Sequence, residues 1–245
     1  MRLSNNTIFI TGGSSGIGLE MAGVLTKKGN QVIICGRTAE KLEKAEQTIP
    51  GLKTRQCDLS ESKERKQLVN WVMKKHPECN VLINNAAIVH QTDFFSDQDM
   101  IEKANLEIET NFTAPVELTK LFSPYLEKNP DSAIIYITTG LVYSPKATYP
   151  IYCATKSALH SFIQTLRWQI KDIPIGIYEV LMPAVDTPFH RGNPPQIAIR
   201  PDKAVQEMLD KLKKNQKEIK IGPVGILHYL SRIAPDFAMK KVNSY

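Results

Sequence analysis

Thr7-Ile8-Phe9-Ile10-Thr11, followed at once by Gly12-Gly13-Ser14-Ser15-Gly16-Ile17-Gly18, is the stretch that decides the fold. The first five residues are apolar and β-branched and read as a strand. The glycines then open an apolar-periodic helix. Gly12 lets the chain turn sharply out of the strand. Gly16 and Gly18 let backbone and helix approach a pyrophosphate, which is favoured at the positive end of a helix. Glycine collects in any tight turn, and a plain βα turn is the competing reading. Its place between a first strand and a first helix makes it a dinucleotide-binding signature.

Working outward, short strand-like runs alternate with helical patterns. Thr7–Thr11, Gln31–Cys35, Lys53–Cys57, Val81–Asn84, Ala133–Thr138 and Ile175–Leu181 read as strands, with Glu218–Ile221 as a short last one. Gly16–Lys28, Ala39–Thr48, Glu61–Lys75, Asp97–Leu126 and Tyr152–Ile170 carry apolar residues at helical spacing. Several strands are apolar at successive positions, as in strands covered on both faces. The pattern predicts an α/β fold, a Rossmann-type doubly wound parallel β-sheet with helices on both faces. Residues 1–245 are expected to form one domain. Met182–Arg200 is rich in Pro and Gly and is expected to be a substrate loop, beyond the carboxyl ends of the strands.

The second strand runs into Gly36-Arg37-Thr38. NAD sites usually place an acid here for the ribose 2′-hydroxyl. A guanidinium instead suits a 2′-phosphate, which an acid would repel. Arg37 therefore predicts NADP(H) over NAD(H), a solvated surface arginine being the alternative.

The bulk numbers narrow the classes. With 31 Lys+Arg against 25 Asp+Glu the net charge is only +6, and the cations are scattered, so nucleic acid is not expected as a partner. Cys35, Cys57, Cys79 and Cys153 have no metal-ligand spacing and read as reduced, packed thiols. His76 and Cys79 lack a second ligand pair. No charged-then-apolar leader and no apolar run of membrane length stands out, so no membrane span and a cytoplasmic location are expected.

Together these residues resemble the short-chain dehydrogenase/reductase family, over nearly the whole chain. Thr11–Gly18 resembles its TGxxxGxG motif, and Asp58-Leu59 the pair that contacts adenine. Asn84-Asn85-Ala86-Ala87 resembles NNAG with Ala87 for glycine, and Tyr152-Cys153-Ala154-Thr155-Lys156 is similar to YxxxK. Asn111 matches the family's catalytic asparagine. Two positions depart. Thr139 stands where a serine is usual, thirteen before the tyrosine, keeping the hydroxyl but adding a methyl and stiffening χ1. Met182-Pro183-Ala184-Val185-Asp186-Thr187 shifts the proline of PGxVxT and lacks its glycine, although Thr187 still matches. The Tyr152–Phe162 region and Ser231–Met239 are similar to a bacterial DltE-like subgroup.

The resemblance implies a catalytic set of Asn111, Thr139, Tyr152 and Lys156. It implies cofactor contacts from Gly12, Ser14, Ser15, Gly16, Ile17, Gly18, Arg37, Asp58, Leu59, Asn85, Ala86, Tyr152, Lys156 and Thr187. The expected reaction moves a hydride between NADP(H) and a small carbonyl or secondary alcohol. Tyr152 and Lys156, four apart, share one helix face. The Lys156 ammonium, with the positive nicotinamide ring of the oxidised cofactor, is expected to lower the phenol's pKa so that Tyr152 can act as acid and base. Thr139 is expected to bind the substrate oxygen and Asn111 to position a water linking Lys156 to solvent. A homodimer or homotetramer is expected through Asp97–Leu126 and Tyr152–Ile170. Tyr143 and Tyr149 read as packing residues near the pocket, and His160 as a core or interface histidine. His190 reads as an exposed loop residue, and Asp186 as a cap or cofactor contact. The rival reading is an NADP(H)-binding sensor acting through a partner.

Overall fold

The computed structural model describes residues 2–129, 131–190 and 195–244, with the His190 side chain outside the description. Seven strands form one parallel sheet: β1 Thr7–Thr11, β2 Gln31–Gly36, β3 Lys53–Gln56, β4 Cys79–Asn84, β5 Ser132–Thr139, β6 Ile175–Met182 and β7 Glu218–Lys220. Their order is β3-β2-β1-β4-β5-β6-β7, all pairs parallel. The order reverses direction between β1 and β4, so a crevice opens above their carboxyl ends.

Alternation along each strand builds two cores. Ile8, Ile10, Val32 and Ile34 face one side, where α1 (Gly16–Lys27), α2 (Ala39–Thr48) and α7 (Pro201–Lys213) cover them. Phe9, Ile33, Cys35 and Leu82 face the other, against α3 (Ser62–Lys75), α5 (Ala114–Leu126) and α6 (Pro150–Gln169). Burial on both faces explains the unbroken apolar runs, and the doubly wound sheet is as the sequence predicts. β3 is the exception, an edge strand with largely exposed side chains.

The expected single helix Asp97–Leu126 is divided. α4 (Met100–Ile108) runs into a π-helical turn, Glu109–Thr113, before α5 begins. Pro115 has no N–H to give the Asn111 carbonyl four residues back, so the α ladder cannot continue there. α7 was not anticipated, nor were α8 (Val224–Ile233) and α9 (Pro235–Val242). All four cysteines are free and buried. Burial pushes Cys57 and Cys79 up to about 12, which keeps them inert thiols. No helix of the described residues is long and apolar enough to cross a membrane, and no group of metal-ligating side chains occurs among them.

Candidate active site

The glycine turn is braced from β4. Thr11 Oγ1 accepts hydrogen bonds from the Asn85 and Ala86 amides at 2.9 and 3.0 Å, while Asn85 Nδ2 donates to the Thr11 and Gly12 carbonyls at 2.9 and 3.1 Å. Gly12 has φ +64°, and a Cβ there would lie 2.9 Å from Ala86 Cα. At Gly18 close packing adds a second demand for glycine. Its absent Cβ would sit 2.2 Å from the Gly12 carbonyl oxygen and 2.6 Å from Asn85 Nδ2, so it lets helix α1 pack onto the strand end. A Cβ on Gly16, which has φ +55°, would lie 3.2 Å from the Thr187 Cβ. The loop after β6 thereby reaches back over the turn.

These parts border a cavity of about 700 Å³ above the strand ends. It is lined by Gly12, Ser14, Ser15, Gly16, Ile17, Gly18, Arg37, Asp58, Leu59, Asn85, Ala86, Thr139, Tyr152, Lys156 and Thr187. A dinucleotide suits this cradle. Positive-φ glycines keep the backbone low, and Ser15 at the α1 N-terminus makes no side-chain cap bond, leaving first-turn N–H groups for an anion. At one end Arg37 and Lys41 border the cavity. The Asp58 carboxylate is engaged by Ser60 N and Oγ at 2.9 and 2.8 Å. The Leu59 carbonyl takes a 2.5 Å bond from Arg65, a buried arginine that also pairs with Glu117 and Glu109 at 2.5 and 2.6 Å. Arg65 thus ties the Asp58-Leu59 corner to the π turn and to α5.

The other end holds the titratable pair. Tyr152 and Lys156, on α6, are both buried. Lys156 Nζ donates to the Ile137 carbonyl at 3.0 Å and lies 6.0 Å from the Tyr152 ring centre. Burial pulls Lys156 down to about 8, opposed by the charge of Glu179. Burial pushes the Tyr152 phenol up, and the Thr139 hydroxyl, hydrogen-bonded to it, pulls the other way. Without the cofactor's charge, the phenol is raised and not lowered. The ammonium is directed at a backbone carbonyl, and desolvation dominates. Thr139 also accepts from the Leu141 amide at 3.3 Å and so caps the short helical turn Gly140–Val142. Tyr152 packs against Phe189 with ring centres 5.6 Å apart.

Asn111 is fully buried and does not reach the main cavity. Its side chain bridges the Ile88 amide and carbonyl, both at 2.9 Å, and donates to Thr155 Oγ1 at 3.3 Å. It borders a separate void of about 10 Å³, shared with Lys156, Thr110 and Asn84. That is roughly the space one water needs. The Asn84 side-chain amide is buried, with neither atom in a protein hydrogen bond. Asn84 opens the Asn84–Ala87 motif, and residue type and spacing alone do not mark it as a site residue.

Of the remaining residues, Tyr149 lines the main cavity, whereas Tyr143 makes edge-on ring contacts with His160 and His228. Asp186 is exposed, and its amide bonds the Ile199 carbonyl at 2.9 Å, helping to close the base of the loop. The loop positions 191–194 and the His190 side chain lie outside the described residues. Lys41 from α2, Val224, Leu227 and Leu230 from α8, and Phe237 from α9 also line the cavity and were not expected as site residues. Apolar spacing was a signal for the α8 residues, Phe237 lies in the Ser231–Met239 stretch, and nothing local marks Lys41.

The sequence model of the short chain dehydrogenases matches residues 6–198. The chain belongs to the short-chain dehydrogenase family. It is 42% identical to "Uncharacterized oxidoreductase DltE" of Bacillus subtilis, over 100% of this chain and 99% of that protein. Among solved structures it resembles a short chain dehydrogenase from Burkholderia cenocepacia in complex with NADP, with TM-score 0.86, 21% identity and 99% of each chain covered. It also resembles the 3-ketoacyl-(acyl-carrier-protein) reductase from Brucella melitensis complexed with NADH. That likeness has TM-score 0.79, 20% identity, and covers 89% of this chain and 97% of that one. At these identities the structural likeness speaks for the fold.

Proposed function

We propose that this short-chain dehydrogenase is an NADP(H)-dependent oxidoreductase that interconverts a carbonyl and a secondary alcohol. The observation that carries the reading is one cavity with a glycine cradle and two cations at one end and Thr139, Tyr152 and Lys156 at the other. When bound, the nicotinamide supplies or takes the hydride. Thr139 and Tyr152 hold the substrate oxygen. In reduction Tyr152 Oη gives it a proton, and in oxidation Tyr152 removes one. A phenol raised by burial is a poor base, so oxidation needs added positive charge beside it; Lys156, half protonated near pH 8, is the residue placed to provide it. The void shared by Asn111, Asn84 and Lys156 fits the expected water on a proton path.

Arg37 and Lys41 support a 2′-phosphate, since Gly36-Arg37-Thr38 offers no carboxylate to a 2′-hydroxyl. The structural neighbours hold NADP in one case and NADH in the other, so the preference rests on these side chains. Leu141, Phe189, Ile197, Leu227, Leu230 and Phe237 favour a substrate with an apolar body next to its reacting carbon. The reading is tested by following nicotinamide absorbance with NADPH or NADP against panels of ketones, aldehydes and secondary alcohols. Tyr152→Phe is expected to cut any turnover by about a hundredfold or more. Unchanged turnover in that variant would sink the assignment.

A further inference from the structure

Glu179 is a charged residue in the middle of β6, fully buried, in a strand otherwise made for a two-sided apolar core. Burying a carboxylate costs several kcal/mol unless its oxygens are satisfied, and here they are. Thr138 Oγ1 donates to Oε1 at 2.7 Å, and His160 Nδ1 lies 2.9 Å from both oxygens. The two partners have telling positions. Thr138 immediately precedes Thr139 on β5, and His160 is one helical turn beyond Lys156 on α6. A single carboxylate therefore joins the strand bearing the hydroxyl to the helix bearing the phenol and the ammonium.

We propose that Glu179 is a positioning residue whose buried carboxylate clamps β5 to α6 and supplies the counter-charge for the Lys156 ammonium. The inference rests on the assignment of Thr139, Tyr152 and Lys156 above.

Lys156 has no carboxylate among its own hydrogen-bond partners, since its ammonium donates to the Ile137 carbonyl. Desolvation favours its neutral form, and the charge opposing that loss is Glu179. The surroundings of Glu179 bear on the same balance. His160, on α6, is itself shifted up by its hydrogen bond to Glu179 and reaches Gln164 with its other nitrogen at 3.0 Å. Arg167 of the same helix and Glu218 of β7 act on His160 with opposite sign. Glu218 is held by Lys220 and by the Tyr143 hydroxyl at 2.6 and 3.0 Å. Tyr143 feels both carboxylates and, with Arg232 of α8 opposing, is pushed up, mainly by burial. His228, also on α8, completes the group against the Tyr143 ring. Glu107 acts on Tyr152 and Cys153 instead.

The test reads Lys156 directly. In protein labelled with ¹³C at lysine Cε, one resonance should titrate near pH 8 and vanish in Lys156→Met. Glu179→Gln keeps the shape and removes the charge, and should move that midpoint down by roughly one pH unit. Glu179→Asp should bring it back toward the wild-type value. Glu179→Met, which also lacks the charge and suits the apolar strand, should lower the midpoint by a similar amount and serves if Glu179→Gln does not fold. In turnover, the alkaline limb of kcat/KM should move with the same midpoint, giving about fivefold less activity at pH 8 for a one-unit shift. An unchanged Lys156 midpoint in folded Glu179→Gln, or identical midpoints in the Gln and Asp variants, would overturn the proposal. Turnover indifferent to Tyr152→Phe would instead overturn the reading of the active site, and the lysine titration separates the two failures.

Discussion

Arg37 and Lys41 stand at the cavity's outer end, where the residues after β2 include no acid. A charge-assisted contact to a phosphate is worth about 1.5–3 kcal/mol, so Arg37→Asp should weaken NADPH by at least about tenfold. NADH, lacking the phosphate, should change by less than about threefold. Fluorescence titration with both nucleotides checks this, and parallel losses would dismiss the 2′-phosphate role. At the inner end, Thr139 does two jobs that a smaller serine could share: it caps the Gly140–Val142 turn and bonds the Tyr152 phenol. The added methyl fixes its rotamer beside the phenol, which makes a stiffer substrate-oxygen contact.

At the scale of elements, the decisive contact is α1 on the end of β1. A Cβ at Gly18 would collide with the Gly12 carbonyl, a backbone atom that cannot move without shifting the turn. Gly18→Ala should therefore cost about 1–3 kcal/mol and lower the melting temperature by roughly 2–10 °C, with nucleotide affinity falling too. Gly23→Ala is the control in the same helix. Its Cβ would meet only the tip of Ile49 at 3.7 Å, and the substitution should leave the melting temperature unchanged or raise it. Equal effects at the two positions would show that helix propensity alone matters and not the close packing. The π turn at Glu109–Thr113 belongs to the same scale. Pro115 interrupts the ladder, Arg65 holds Glu109 and Glu117 on either side, and Asn111 is thereby delivered behind Lys156.

Across the whole molecule, the two cores leave some large apolar side chains uncovered. Ile101 and Ile108 on α4, Tyr125 on α5 and Trp168 on α6 are exposed, with Trp168 at 79%. These are the helices from which we expect self-association. Light scattering should give a dimer or tetramer, and Ile101→Glu combined with Trp168→Glu should shift it toward monomer. A strict monomer in the unaltered protein would refute the expectation. α8 and α9 carry a second exposed group, Ile226, Tyr229, Ile233 and Phe237, of which Ile226 and Phe237 border the cavity.

Much was legible from sequence because it follows from local rules. The strand runs, the glycine turn, Arg37 and the order of Asn111, Thr139, Tyr152 and Lys156 depend on spacing and side-chain type, and the sheet assembled from them is the one expected. α7 was legible but overlooked: Pro201 starts it, and Ala204, Val205, Met208, Leu209 and Leu212 mark its buried stripe. Other features were not written locally. The packing demand at Gly18 could not be read until α1 lay on β1. The direction of the Lys156 ammonium, and the upward push on Tyr152, depend on what buries them. Glu179 carries no local signal, because its partners Thr138 and His160 lie 41 and 19 residues away. Periodicity and turn chemistry act over a few residues, so the chain by itself determined the elements and their chemistry. Desolvation and charge pairing act through space, so only the packed sheet decided which groups are charged and what holds them in place.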